Sequence, residues 1–151
     1  MRFHLVDRIV AYEPRTSVHA VKLTSRSEEH WIDGPDGAVM PPPLVLEAFC
    51  QAGTWLIVAS TDRRLRAALL QVGEVEWVSE VHPGEILDIH GECVAFGEET
   101  AVLSGSVAVG DRLVLRAEDV MCALIDVATL ADPDDTGRLL ELMVREDGPA
   151  A

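Results

Sequence analysis

The pattern of hydrophobic and polar positions divides the chain into one long apolar helix and a series of strands. Over residues 43–61 apolar side chains cover nearly the whole circumference of a helix, and Pro43 lies in its first turn, where proline is favoured. An early strand is predicted over residues 16–24, and Gly and Pro make residues 25–43 a predicted loop. Alternation predicts further strands, over 71–81, 86–96, 100–109 and 112–126.

Such an apolar helix must be enclosed by a large apolar surface, and the strands that follow it supply one. We therefore predict an α+β hotdog fold, in which a long central helix is wrapped by a curved antiparallel β-sheet. Residues 1–130 are predicted to form a single hotdog domain, and residues 131–151 an acidic C-terminal tail with a short amphipathic helix. One such sheet leaves an open edge strand, so two sheets are expected to pair edge to edge.

Composition narrows the classes of function. The chain has 151 residues and a net charge of −14, which argues against binding to nucleic acid or to an anionic membrane. Three widely spaced cysteines fit neither a disulfide framework nor a metal site and favour a reducing cytoplasm. We expect no signal peptide, no membrane span, no metal and no nucleotide cofactor, because no corresponding pattern is found.

Glu47 is the most informative polar position because it interrupts the apolar helix. Gln51 lies four residues further on, on the same helix face. A carboxyl group buried against apolar walls has a raised pKa, which suits a proton donor at neutral pH. The structural alternative is a partly exposed glutamate paired with Arg63 or another cation.

Three segments resemble the β-hydroxyacyl-ACP dehydratases of the FabA/FabZ type. The segments are Leu-Val-Asp-Arg-Ile at residues 5–9, Met-Pro-Pro-Pro-Leu-Val-Leu-Glu-Ala-Phe-Cys-Gln at 40–51, and Val-His-Pro-Gly-Glu at 81–85. The family's corresponding patterns are Leu-Leu/Ile-Asp-Arg-Ile, Met-Pro-Gly with a following Glu or Asp and Gln, and Val-x-Pro-Gly-Asp. The matches occur in order and span most of the chain.

The resemblance implies a dimer with active sites at the interface. In each site a histidine of one chain removes the α-proton of a 3-hydroxyacyl thioester, and the other chain's helix carboxyl protonates the departing hydroxyl. Glu47 is the implied acid, with Gln51, Gly34, Gly37 and Pro41 as predicted substrate contacts. The substrate arrives on the phosphopantetheine arm of an acyl carrier protein, and no other cofactor is implied.

The expected histidine is the point at which the chain departs from the family. The family's base lies in a Gly-His-Phe-Pro-Gly loop seven residues before its Met-Pro, and the same count back from Met40 reaches Asp33. Placing His30 there requires an insertion, so we favour Asp33 in the histidine's position. The loop also resembles divergent dehydratase-like hotdogs of aryl-polyene-type and reducing polyketide pathways, in which a dehydratase is built from two unlike subunits.

Arg63, Arg64 and Arg66 are the only basic cluster in this acidic chain. Carrier proteins are acidic, so we predict that these arginines form the docking patch. The alternative is a helix end whose dipole is balanced by solvated arginines.

Three functions are compatible with these residues. The first is dehydration of a 3-hydroxyacyl-ACP to the trans-2-enoyl-ACP, by a homodimer or by one subunit of a heterodimer. In that reaction the base is His30, Asp33 or a partner residue. The second is hydrolysis of an acyl thioester with Glu47 and Asp33. The third is a catalytically silent partner of an active dehydratase.

Overall fold

A six-stranded antiparallel sheet wraps one long helix in the computed structural model, which describes residues 4–144. The sheet has the strand order β1-β2-β6-β7-β8-β5, and β3 and β4 form a separate hairpin. The elements are β1 (Arg8–Glu13), β2 (Ser17–Leu23), β3 (Ile32–Gly34), β4 (Gly37–Val39), α1 (Pro42–Ser60), β5 (Leu65–Trp77), β6 (Ile86–Phe96), β7 (Thr100–Val109), β8 (Arg112–Asp126), a 3-10 turn (Val127–Thr129) and α2 (Pro133–Val144). The predicted hotdog arrangement is confirmed, and the ends of α1 lie within one residue of the prediction.

Helix α1 packs on one face of the sheet, and side chains on the strands alternate between that face and the other, as the strand period requires. Phe49 is fully buried, and its ring lies over two glycines that face each other across β6 and β7, Gly91 and Gly105. A Cβ atom at Gly105 would lie 2.8 Å from the Phe49 ring and 2.0 Å from the carbonyl oxygen of His90. The glycine pair therefore lets the helix approach the sheet closely.

Three parts of the secondary structure differ from the prediction. The predicted loop over residues 25–43 contains the β3–β4 hairpin, and strand β1 precedes the first predicted strand. Strand β5 begins at Leu65, several residues before the predicted start. Its first half carries no alternation because Leu65, Arg66 and the two alanines after them are all half-buried.

The two edges of the sheet are covered unequally. Helix α2 packs against β1 and buries Thr136, Gly137, Leu140 and Met143. Strand β5 pairs with β8 on one side, and no other strand or helix of residues 4–144 pairs along its outer edge. The end of the predicted tail, residues 145–151, lies outside the described residues.

Helix α1 is long and apolar enough to cross a membrane by length and composition alone, with a mean hydropathy of 1.3. Glu47 and Gln51 interrupt the apolar run, but these two polar residues do not lower the mean hydropathy enough to exclude a membrane span by length and composition. The same pattern is typical of a core helix, and the packing of α1 against the sheet accounts for its apolar surface.

Candidate active site

Glu47 and Gln51 form a fixed pair on the open face of α1. The Nε2 atom of Gln51 donates a hydrogen bond to Oε1 of Glu47 at 3.0 Å. The Oε1 atom of Gln51 accepts a hydrogen bond from the backbone N–H of Leu5 at 2.8 Å. Because the backbone occupies the amide oxygen, the amide nitrogen faces Glu47, and the N-terminal segment thereby orients the carboxylate.

A cavity of about 340 Å³ lies beside this pair. Its walls come from α1, the start of β5, the N-terminal segment and the C-terminal part of the chain. The lining residues are His4, Glu47, Gln51, Thr54, Trp55, Arg66, Ala67, Leu130, Ala131, Asp135, Thr136 and Leu139. Carboxylate, guanidinium and hydroxyl groups thus line the same cavity as apolar side chains. Such a mixed lining suits a ligand that has both a polar and an apolar part.

Glu47 is exposed within the single chain, contrary to the expected burial against apolar walls. Its neighbours Val45 and Ala48 are turned into the core, whereas Glu47 lies on the strip of α1 that the chain's own sheet does not cover. The described residues 4–144 therefore do not enclose the carboxylate.

Cys50 is not a nucleophile at neutral pH. Burial, and secondarily the negative charge of Glu47, raises the pKa of the Cys50 thiol to about 12. The thiol therefore stays protonated, as expected of a small side chain packed against the core.

The structure places Asp33 on the β3–β4 hairpin and away from the cavity lining. Asp33 is exposed and is paired with Ala38 across the hairpin. Gly37, which follows the turn of this hairpin, has a positive φ of 114°. The hairpin is anchored to the loop before β6, because Met40 N–H donates to the Val81 carbonyl at 2.8 Å. Glu47 lines the cavity, whereas Asp33 of the same chain does not.

Gly34 and Pro41, two of the predicted substrate contacts, have evident structural roles. A Cβ atom at Gly34 would lie 2.8 Å from Val39, so the tight hairpin requires glycine there. Pro41 precedes the first turn of α1, and its carbonyl accepts a hydrogen bond from Leu44 N–H at 2.9 Å. The substrate-binding roles of Gly34, Gly37 and Pro41 stay predictions.

His30 lies in a small polar cluster rather than on the open surface. Its side chain is 11% exposed and its Nε2 atom lies 3.8 Å from a carboxylate oxygen of Glu28. The ring packs against Trp31 with centroids 4.9 Å apart. Burial acts to raise the pKa of Glu28, but hydrogen bonds from Lys22 and from Ser25 N–H outweigh it and lower that pKa. These contacts favour a structural role for His30.

The three arginines of the predicted docking patch have different surroundings. Arg63 is paired with Glu141 of α2 at 2.7 Å, and Arg64 donates a hydrogen bond from Nε to the Thr61 carbonyl at 3.2 Å. Arg66 lies on β5 and lines the cavity beside Glu47. Among the three, Arg66 is therefore the one adjacent to the candidate site.

The C-terminal wall of the cavity is a part of the site that the sequence pattern did not predict. Asp135, Thr136 and Leu139 reach it from α2, whereas the pattern indicated only a short amphipathic helix in an acidic tail. The spacing of the buried residues Leu140 and Met143 signals a helix with one apolar face, but not the surface that it covers.

Comparison with solved structures places this architecture among the hotdog folds. The dehydratase heterocomplex ApeI:P from Xenorhabdus doucetiae matches with a TM-score of 0.63 and 16% identity, over 91% of this chain and 89% of that chain. A hypothetical thioesterase with coenzyme A from Streptococcus pneumoniae matches with a TM-score of 0.57 and 21% identity, over 77% and 84%. At these identities both matches show the fold alone.

Sequence similarity gives the family. No family model matches the chain. A curated relative from Oleidesulfovibrio alaskensis, named 3-hydroxyacyl-acyl-carrier-protein dehydratase FabZ, is 33% identical over 120 residues, which cover 77% of this chain and 78% of the relative. The chain therefore belongs to the FabZ family of 3-hydroxyacyl-acyl-carrier-protein dehydratases.

Proposed function

We propose that the chain dehydrates a 3-hydroxyacyl thioester carried by an acyl carrier protein, with Glu47 as the acid. A base removes a proton from C2, the C3–O bond breaks, and the Glu47 carboxyl protonates the departing hydroxyl, which leaves as water. The products are the trans-2-enoyl thioester and water. The observation that carries this proposal is a chain of two hydrogen bonds, from Leu5 N–H to Gln51 and from Gln51 to Glu47. These bonds hold the Glu47 carboxylate at the wall of a cavity.

The base is proposed to come from a histidine of a second, unlike hotdog subunit. Asp33 is exposed on its hairpin and does not line the cavity beside Glu47. His30 is engaged with Glu28 and Trp31. The fold likeness to a heterocomplex of dehydratases supports a two-subunit enzyme.

The partner is proposed to pair along β5. This edge strand exposes Leu69, Leu70 and Trp77, each about half exposed at 53%, 57% and 48%. The opposite edge, β1, is packed against α2. An uncovered edge strand with exposed apolar side chains is a template for pairing with another sheet. The start of β5 lines the same cavity as Glu47, so such pairing would bring a second chain towards Glu47.

The proposed reaction is tested with a 3-hydroxyacyl thioester on carrier protein, using the chain alone and the chain mixed with a FabZ-type subunit that keeps the loop histidine. We expect enoyl absorbance from the mixture, without release of free thiol, and little turnover by the chain alone. Release of thiol in place of enoyl product would establish a thioesterase. Full turnover by the chain alone, abolished by Asp33→Asn, would assign the base to Asp33.

Arg66 is proposed to attract the carrier protein or the phosphate of its arm. We expect Arg66→Glu to raise the KM for a carrier-linked substrate about tenfold, because the charge of Arg66 acts on the anionic carrier protein and its phosphorylated arm. The KM for a short pantetheine thioester, which lacks the phosphate, is expected to stay nearly unchanged. Steady-state kinetics with both substrates measure this. Arg15→Glu is the control, since Arg15 is an exposed arginine between β1 and β2 that does not line the cavity. An equal loss with both substrates would contradict the docking role.

A further inference from the structure

Two histidines and an aspartate meet on the face of the sheet that is turned away from α1. His19 of β2 and His90 of β6 are directly opposite in the strand register, and Asp88 precedes His90 by two residues on the same face. The alternate residues Ala20 and Ile89 are fully buried beneath α1. The cluster therefore lies on the other side of the sheet from Glu47 and has no part in the dehydration site.

The potential ligand atoms of the three side chains lie close together. The Nε2 atom of His19 is hydrogen-bonded to Oδ1 of Asp88, and the Nε2 atom of His90 lies 3.6 Å from Oδ2. The two imidazole rings are stacked, with centroids 4.1 Å apart and an interplanar angle of 17°. One ligand atom from each residue falls within 4.8 Å of the others.

We propose that His19, Asp88 and His90 form a binding site for a divalent transition-metal ion such as Zn²⁺ or Ni²⁺. Two imidazole nitrogens and one carboxylate oxygen are a donor set that suits these ions, with the remaining coordination positions filled by water. Mg²⁺ and Ca²⁺ prefer oxygen ligands and are disfavoured by the same donor set.

The charges around the cluster favour a cation. A shallow depression beside the histidines is lined in addition by the carboxylates of Glu13 and Glu92, and none of its lining residues within the described range 4–144 is a lysine or an arginine. The whole chain carries a net charge of −14. The local and overall fields therefore both attract a positive ion.

Calorimetric titration of the full chain with Zn²⁺, Ni²⁺ and Mg²⁺ tests the proposal. We expect one transition-metal ion per chain and no Mg²⁺ binding. His90→Gln and Asp88→Asn each remove one donor and are expected to weaken Zn²⁺ binding by at least about tenfold. His90 is 53% exposed, so its replacement leaves the core intact, and circular dichroism checks the fold of each variant.

His82→Gln is the matched control, because His82 also has a carboxylate nearby, Glu80 at 3.9 Å, but belongs to no three-residue cluster in the part of the chain that the structure describes. Its Zn²⁺ affinity is expected to equal that of the wild type. Zn²⁺ binding by Glu47→Gln is likewise expected to be unchanged, which separates this site from the dehydration site. Absence of Zn²⁺ binding, or a loss below tenfold in both His90→Gln and Asp88→Asn, would overturn the proposal.

Discussion

Replacing Glu47 with glutamine is expected to lower kcat for dehydration by about 10²- to 10⁴-fold, the usual contribution of a positioned general acid. The amide of glutamine has the shape of the carboxyl group and still accepts the hydrogen bond from Gln51, but its N–H protons are far too weakly acidic to be transferred to the departing hydroxyl. The KM is expected to change little, because substrate contacts are retained. The measurement is the rate of enoyl formation by the assembled enzyme.

Glu98→Gln provides the matched control, since Glu98 is an exposed glutamate in the turn between β6 and β7. This variant is expected to retain wild-type kcat. A Glu47→Gln enzyme with more than about a third of the wild-type kcat would remove Glu47 from the mechanism, because loss of a general acid costs far more. In that event Asp135, the other carboxylate of the cavity, becomes the acid to test.

The parts of the fold that could be predicted are those in which one period dominates. Helix α1 combines a proline start with a long apolar run, and β6, β7 and β8 alternate over most of their length. Strands β7 and β8 are joined by Gly110 and Asp111, a pair typical of a hairpin turn, and Gly110 adopts a positive φ of 56° there. Local chemistry and tertiary packing agree in these elements, so the sequence alone is sufficient.

The missed elements are those whose burial depends on distant parts of the chain. Strands β3 and β4 have three residues each, too few to show a period among glycines and aspartates. The helix that closes the cavity, α2, shows its apolar face in the sequence but not its position. Likewise, the spacing of Glu47 and Gln51 predicted that they share one helix face, whereas the hydrogen bond from Leu5 N–H to Gln51 depends on tertiary contact.

The catalytic base is likewise a feature that the sequence alone does not identify. A motif count places Asp33 in the position of the family's histidine, and in the structure Asp33 lies at an exposed position of the hairpin. Neither observation identifies the group that faces Glu47 in the working enzyme. In the two-subunit enzyme that we propose, that group comes from the second chain, and the contacts of such an interface are specified jointly by two sequences.

Placing charge on the open edge of β5 is expected to dissociate the enzyme into single chains and to abolish its activity. Leu70 and Trp77 are both about half exposed, at 57% and 48%, towards the two ends of the exposed part of the strand. The double variant Leu70→Glu with Trp77→Glu brings carboxylates into an apolar interface, where burying an unpaired charge costs several kcal/mol. We expect light scattering to report monomers and kcat/KM to fall by at least about 10²-fold, because the site then lacks the second chain's base.

Val10→Glu is the matched control because Val10 is a 47% exposed apolar residue on the opposite edge strand, β1. Its assembly and activity are expected to match those of the wild type, since α2 already packs against β1. Dimers that persist in the β5 variant would place the interface elsewhere on the chain. Fully active monomers would show that one chain contains both acid and base, and Glu47 would then need a base from its own chain.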